Sequence, residues 1–423
     1  MSTLAESLVT VRLELRRVVE AIVPSRLGKS FRWLLASSWV TNIGDGLEIA
    51  AGPLLIASQT RSPQLVAMAL LLQRLPFFLF GLYAGVLADR LDRRRLVVVV
   101  NLLRAVVLTG LAITIWTGRV DVTIVLVSVF LLGLAETFAD TTTSTLLPMM
   151  VGKADLGIAN ARIMAGTLTA NQLVGPPLGA ALFAAGMVLP FATQAACVAL
   201  GALLVSRIVA TPSTRRAERS HVRRDVAEGL HWLWGHPPMR TLAITITFFN
   251  ITFGAAWSVL VLLAIERLGT GEVGYGLLLT SLALGGVLGT VSYGWLERHF
   301  SLADMMRVGL LIETATHLVL ATTTTAWVAM VALFAFGVHA FVWTTTSTTV
   351  RQRAVPNEFQ GRVASVYLMG VFGGLVAGAA LGGVIAGRWG VTGPFWFAFV
   401  GSGVILALIW RELEHITHTE AVD

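Results

Sequence analysis

Apolar runs of about twenty residues recur twelve times along the chain, and basic residues collect in every second gap between them. A run of that length crosses the ~30 Å hydrocarbon core of a bilayer as a helix. The runs cover about 33–57, 65–88, 96–117, 122–150, 158–187 and 188–210, then 241–264, 275–296, 303–321, 327–350, 363–386 and 392–410. Only 13% of the 423 residues are charged, against about 25% in a soluble domain, so an ordinary cytosolic enzyme is excluded. The single cysteine, Cys197 in an apolar run, excludes a disulfide framework and a cysteine metal site. The expected fold is an all-α membrane protein with twelve transmembrane helices in two pseudo-symmetric six-helix bundles.

The alternation of charge sets the expected orientation. Arg12, Arg16, Arg17, Arg26 and Lys29 share one side with Arg90, Arg93, Arg94, Arg95 and Lys153. Arg215, Arg216, Arg219, Arg223, Arg224, Arg298, Arg307, Arg351 and Arg353 belong to the same side. The other side has little beyond Arg61, Arg119, Arg267 and Arg388. The positive-inside rule then puts both termini and the long central loop in the cytoplasm. The expected organisation is a cytoplasmic segment 1–30, a bundle 31–211, a linker 212–238, a second bundle 239–411 and a tail 412–423.

No uninterrupted apolar run opens the chain, so residues 1–30 do not read as a cleaved secretory signal. Leu8, Val11, Leu15, Val18 and Ile22 keep helical spacing there, as in either a surface helix or a disordered tail. In the linker, Asp225 to Trp234 reads as an amphipathic helix that tethers the bundles or lies on the membrane surface. The net charge of +7 comes in short bursts without the interleaved aromatics of a nucleic-acid binder, Trp232 and Trp234 excepted.

The two halves repeat each other. Thr141–Thr145 reads TTTST, and so does Thr344–Thr348, 203 positions later. The same shift carries Gly175 onto Gly378 and Gly179 onto Gly382, while a shift of 208 carries Asn42 onto Asn250, Gly46 onto Gly254 and Gly81 onto Gly289. An ordered series near one offset indicates duplication of a six-helix unit, with the halves related by an axis along the membrane normal. Such architecture places a binding site between the halves, near the midplane.

After the second run, Gly81-LYA-Gly85-VLADRLDRRR combines small residues with Asp89, Arg90, Asp92, Arg93 and Arg94. This loop resembles the signature loop of the major facilitator superfamily, in which it would act as a charge latch at the cytoplasmic mouth. Gly175-Pro176-Pro177-Leu178-Gly179 in the fifth run resembles the superfamily's antiporter motif. Gly370, Gly374, Gly378 and Gly382 form a stripe in the eleventh run, and Gly285 and Gly289 repeat it in the eighth. Such small-residue stripes pack helices closely, and for a two-state carrier they are expected to form the sliding seam between halves. The resemblance extends over nearly the whole chain, through Ala227–Trp234 and Gly361-Arg362-Val363. Those stretches look most like the bacterial efflux branch, which includes macrolide, tetracycline-class and siderophore exporters and lysophospholipid flippases. The resemblance implies secondary-active export from a bacterial inner membrane, commonly by proton antiport.

Ionisable groups inside the runs narrow the site. By a rise of about 1.5 Å per residue, Asp45 lies about 18 Å into the first run, with Glu136 and Arg74 near the middles of the fourth and second. A central Asp or Arg costs about 2.5–3.5 kcal/mol on insertion scales, so each needs a partner, water or a purpose. Asp45 with Glu48, and Glu136 with Asp140, are spaced to share a helix face. In the superfamily the first and fourth spans of each half line the cavity, so these four carboxylates are the expected proton-coupling groups. Arg74 is either their counter-charge or half of a static ion pair. Arg104 could snorkel or pair with Asp89. In the second half, Asn250, Phe253 and Trp257 share a face, as do His339 and Trp343. They are expected either to pack or to contact cargo, with His339 also a candidate second proton site. Glu313 and His317 read as a local hydrogen-bonded pair.

Leu27-Gly28-Lys29-Ser30 ends like a phosphate loop, but position 23 is Val where the first glycine belongs. No cofactor or metal is expected, and energy should come from an ion gradient. The leading expectation is a proton-coupled exporter of amphipathic small molecules, functional as a monomer. A dedicated exporter or flippase of one compound, an importer, and a non-transporting membrane sensor or scaffold are the alternatives.

Overall fold

A computed structural model of the chain describes residues 25–209, 222–356 and 358–413. The apolar periodicity near the N-terminus, the arginines of 210–221 and the tail 414–423 lie outside the described residues, as does the side chain of Asp89. The first bundle contains α1 (Gly28–Gln59), α2 (Pro63–Arg90), α3 (Arg93–Trp116) and α4 (Val122–Met150). Its α5 runs through Leu156–Gly166, a π-helical stretch Thr167–Val174 and Gly175–Ala185, followed by α6 (Val188–Ser206). After the linker helix Val222–Gly235 comes α7 (Pro237–Trp257), prolonged through Leu260–Leu262 and a π turn Leu263–Arg267. The second bundle continues with α8 (Gly271–His299), α9 (Leu302–Thr322), α10 (Ala326–Ala354), α11 (Gln360–Trp389) and α12 (Gly393–Ile409).

Nine described helical spans are long and apolar enough by themselves to cross a membrane. The other three crossings are α1, which carries Asp45 and Glu48, the π-interrupted α5, and α12, with 17 residues. Helix starts follow local chemistry. Asp92 accepts from the Arg95 amide, Asp121 from that of Ile124 and Ser301 from that of Asp304, each satisfying a donor the helix leaves open. Pro63 and Pro237 open α2 and α7, where a missing N–H costs nothing.

The repeated glycines make the same contact twice. A Cβ on Gly175 would overlap Gly46, and one on Gly378 would lie 3.0 Å from the Cα of Gly254. Thus α1 meets α5 as α7 meets α11, backbone against backbone. Gly179 sits against Leu47, while Gly374 and Gly382 sit against Thr247 and Ala255. The stripe is therefore an intrabundle contact, and the expected seam between halves is corrected. Period four keeps 370, 374, 378 and 382 on one face of α11, turned into α7. On α11 the glycines that meet the other bundle include Gly373, against Phe78, Gly383, against Gln64 and Ala67, and Gly387, against Gln64. On α8, Gly285 and Gly289 likewise pack on α10 of their own bundle, at Phe334 and Val338. Gly285→Val should lower the melting midpoint in detergent by the equivalent of about 1–3 kcal/mol. Gly294→Ala, which meets nothing within 4 Å, should melt as the parent does.

The two ends of the molecule differ in how the bundles join. At the end away from the basic loops, one apolar core takes in both: Leu55, Ile56 and Phe183 with Leu260, Tyr275, Leu278 and Phe395. Toward the basic face the core divides. Phe31, Leu34, Val97 and Leu146 belong to the first bundle, and Leu242, Leu310, Val363 and Leu406 to the second. Across the middle, Phe77 of α2 stacks on Phe372 of α11 with centroids 5.0 Å apart.

Candidate functional site

A polar cavity of about 1240 Å³, part of it open solvent, extends through the first bundle from its middle toward the basic face. Helix α1 contributes Ser38, Asn42 and Asp45, α3 Asn101 and Arg104, and α4 Glu136, Asp140 and Ser144. Arg104 Nη2 donates to Asp45 Oδ1 at 2.5 Å, and Nη1 to Asn101 Oδ1 at 3.5 Å. The Arg104 side chain is 4% exposed and that of Asp45 18%, so the pair is held at the cavity wall. Glu136 and Asp140, one turn apart, have no hydrogen-bond or ion-pair partner among the described residues. They feel Arg74 and Arg104 only across space.

Three expectations change here. Asp45 pairs with Arg104, not Arg74, and Arg104 does not snorkel, while the alternative partner Asp89 has its side chain outside the described residues. The reason is depth. Arg104 lies eleven residues past the start of α3 at Arg93, and Asp45 twelve past Trp33, on helices that start from the same face. That match was available in the sequence. Glu48 also parts from Asp45, accepting from Gln194 Nε2 of α6 and lining a different cavity.

This second cavity lies between the bundles, with about 690 Å³ of empty space, part of it open solvent, and about 100 Å³ enclosed. The first bundle lines it with Glu48, Gln73 and Arg74, the second with Trp257, Ser258 and Tyr275. Arg74 makes no hydrogen bond or ion pair among the described residues. Two residues beyond it, Pro76 interrupts the hydrogen bonding of α2.

The expected cargo face is divided. Trp257 lines the inter-bundle cavity. Phe253 is stacked between Trp257 and Phe336, at 5.0 and 5.5 Å, and Asn250 donates to the Ile246 carbonyl at 2.7 Å. His339 and Trp343 are 4% and 8% exposed, inside the second bundle. Their face of α10 is drawn into α9, where His339 Nε2 lies 3.1 Å from Glu313 Oε2. His317, expected to bond Glu313, is 3.9 Å from it and makes only a longer-range contact. Glu313 as partner of His339 is the contact that sequence spacing missed.

The latch residues hold their own bundle together. Arg93 donates to the carbonyls of Ala88 and Thr145, and Arg94 to that of Ser206 at 2.7 Å. Gly81 and Gly85 leave α2 smooth there, with nothing closer than 3.9 Å to a built Cβ, and Arg90 is exposed. At Gly175-Pro176-Pro177 the prolines cannot donate to the preceding turn, and the π stretch lies directly before them. This segment also touches the other bundle, where a Cβ on Gly276 would lie 2.6 Å from that of Ala180.

Residues 21–423 match the family model described as transmembrane secretion effector. The chain belongs to this family of the major facilitator superfamily. It is 26% identical over 373 residues to the multidrug efflux pump Tap of Mycolicibacterium fortuitum, covering 84% of this chain and 87% of Tap. It is 25% identical over 404 residues to the enterobactin exporter EntS of Escherichia coli K12, covering 92% of this chain and 94% of EntS. The crystal structure of the nucleoside transporter NupG superposes with a TM-score of 0.73 at 12% identity, covering 92% of this chain and 99% of that one. This secretion effector is thus an efflux transporter of the major facilitator fold and not an enzyme.

Proposed function

We propose that the protein exports amphipathic small molecules across the bacterial inner membrane by proton antiport, with both termini and the basic face in the cytoplasm. One observation carries this reading: Glu136 and Asp140 stand without a hydrogen-bond or ion-pair partner among the described residues, in a cavity beside the Arg104–Asp45 pair. An unpaired carboxylate at membrane depth is costly even where it faces a cavity, and a proton removes that cost. In a carrier, the proton is taken up from one side and lost to the other. With the bundles joined at the outer end and their cores divided at the basic end, this state receives cargo from the cytoplasm while the acids give up protons. Protonation of Asp45 would release Arg104 toward Glu136, linking proton uptake to a shift of α1 against α3 and α4.

The cargo position that fits best is the inter-bundle cavity, between Trp257 and Tyr275 on one side and Arg74 and Glu48 on the other. In this state its enclosed volume is about 100 Å³, below the about 300–1,000 Å³ of small-molecule sites, so the bundles must part further to seat a drug-sized cargo. Arg74 favours a second reading, a dedicated exporter of an anionic aromatic compound, the class to which a catechol siderophore belongs. Organisation as bundles 31–211 and 239–411 about the linker 212–238, acting as a monomer, completes the proposal.

The test is transport by proteoliposomes under an imposed pH gradient, with ethidium, tetracycline, erythromycin and a catechol siderophore as cargoes. Export driven by the gradient, and lost in both Asp45→Asn and Glu136→Gln, is expected. Undiminished gradient-driven transport in both variants would refute the assignment of the acids. Transport of several chemically unrelated cargoes supports the broad reading, and transport of the siderophore alone supports the dedicated one.

A further inference from the structure

The second bundle holds a buried polar cluster that the proposed coupling site does not use. Glu313 and His317 on α9 and His339 on α10 are 7%, 3% and 4% exposed. Glu313 accepts from or shares a proton with His339 Nε2 at 3.1 Å, and His317 Nε2 lies 3.9 Å from its other oxygen. Both ring nitrogens of His317, and Nδ1 of His339, have no hydrogen-bond partner among the described residues. The His339 ring lies over Gly309, where any Cβ would collide with it. Buried polar atoms left unpaired are uncommon and call for an explanation.

The internal repeat gives this cluster a counterpart. The shift of 203 carries Glu136 onto His339, and a shift of 209, which carries the Asp92 cap of α3 onto the Ser301 cap of α9, takes Arg104 onto Glu313. Helices α3 and α9, and α4 and α10, therefore place a charged or titratable pair at matching depths in the two bundles. The signs are reversed: a cation on α3 beside acids, an acid on α9 beside imidazoles. Position 253, the counterpart of Asp45 at a shift of 208, is Phe. The acid of α9 has no guanidinium to meet, and only His317 and His339 bear on it electrostatically. The surrounding elements offer Phe253 and Trp257 from α7, Phe336 from α10 and Phe395 from α12, none of them charged.

We propose that Glu313, His339 and His317 form a second proton-binding site, so that each bundle carries its own exchangeable proton. With one proton the cluster is neutral, as a carboxylate beside one imidazolium or as a carboxylic acid beside two neutral rings. Without it the cluster carries a net negative charge that nothing buried nearby offsets. A way in needs one side chain to move. His317 borders a small hollow of about 10 Å³, also lined by Phe253 and Trp257, and Trp257 lines the inter-bundle cavity as well. A turn of Trp257 on cargo binding would connect the hollow to that cavity, passing the proton from His317 to Glu313 and His339.

The inference rests on the antiport reading for its role in transport but not for its existence, and two measurements separate these. In purified protein labelled with ¹⁵N-histidine, the ring-nitrogen signals of His317 and His339 should respond together to a change of pH, and Glu313→Gln should move both. Ring signals that pH leaves unchanged, in parent and variant alike, would overturn the site. In proteoliposomes with ethidium, Glu313→Gln and His339→Gln should retain counterflow while the proton-to-ethidium ratio falls by one. An unchanged ratio in variants that still show counterflow would overturn the coupling role. If the parent shows no proton-driven flux, the antiport reading falls, and the ring titration still decides the site. Gly309→Ala, which pushes His339 away from Glu313 without removing a titratable group, should shift the His339 titration.

Discussion

Arg104→Gln is expected to lose both stability and transport, and the second loss should outlast the first. The substitution leaves Asp45 at the cavity wall with no partner, and breaking one side of a buried ion pair costs about 3–5 kcal/mol. Asp45→Asn strands the more deeply buried guanidinium and should cost a comparable amount. The double variant Asp45→Asn/Arg104→Gln leaves two neutral groups able to hydrogen-bond to each other. Its melting midpoint should return most of the way to that of the parent, giving a coupling energy of at least ~1.5 kcal/mol in the double-mutant cycle. Gradient-driven export should stay absent in all three variants, because the group proposed to move with the proton is gone. Additive losses of stability would show that the pair is not a unit. Recovery of transport in the double variant would show that it is structural.

A disulfide across the outer end of the bundles should stop transport altogether, reversibly on reduction. The Cβ of a residue at 383 would lie 3.1 Å from the Cα of Gln64, within the compass of a disulfide between α2 and α11. In a Cys197→Ala background, the pair Gln64→Cys/Gly383→Cys should cross-link under mild oxidation. The link would hold closed the end that must open to release cargo. Transport should fall by more than about tenfold and recover with dithiothreitol, while each single cysteine variant stays active. Transport that continues in a fully cross-linked sample would mean that the bundles do not part at this end, and alternating access of the proposed kind would fail.

Much of the molecule is legible in the sequence because the bilayer removes alternatives. A backbone in hydrocarbon must satisfy its own hydrogen bonds, so twenty apolar residues have one outcome, and the twelve runs appear as twelve helical crossings. Helices extend past the runs where polar residues continue the turn. Thus α8 covers Gly271–His299 where the apolar run covers about 275–296. The repeat is legible for a related reason. Gly46 and Gly254 carry no side chain because Gly175 and Gly378 come against them, and such close approach tolerates no substitute. The family follows from motifs of the same kind.

Partners across space are less legible, since helical spacing reports only neighbours on one helix. Glu313 and His317 are four apart and suggested a pair, yet the closer ring is His339, 26 residues on. Asp45 and Glu48 are three apart, yet one turns to Arg104 and the other to Gln194. For the same reason the regular glycine stripe of α11 suggests a seam between halves where the structure has a contact within one bundle.

By itself the sequence determined the number of crossings, the duplication and which titratable groups enter the membrane, because each follows from the cost of exposing backbone or charge to lipid. Tertiary structure alone decided which carboxylate meets which cation, which cavity each lines and at which end the bundles join. Those outcomes depend on the rotation of each helix about its own axis, and that angle is set by packing against neighbours distant in the chain.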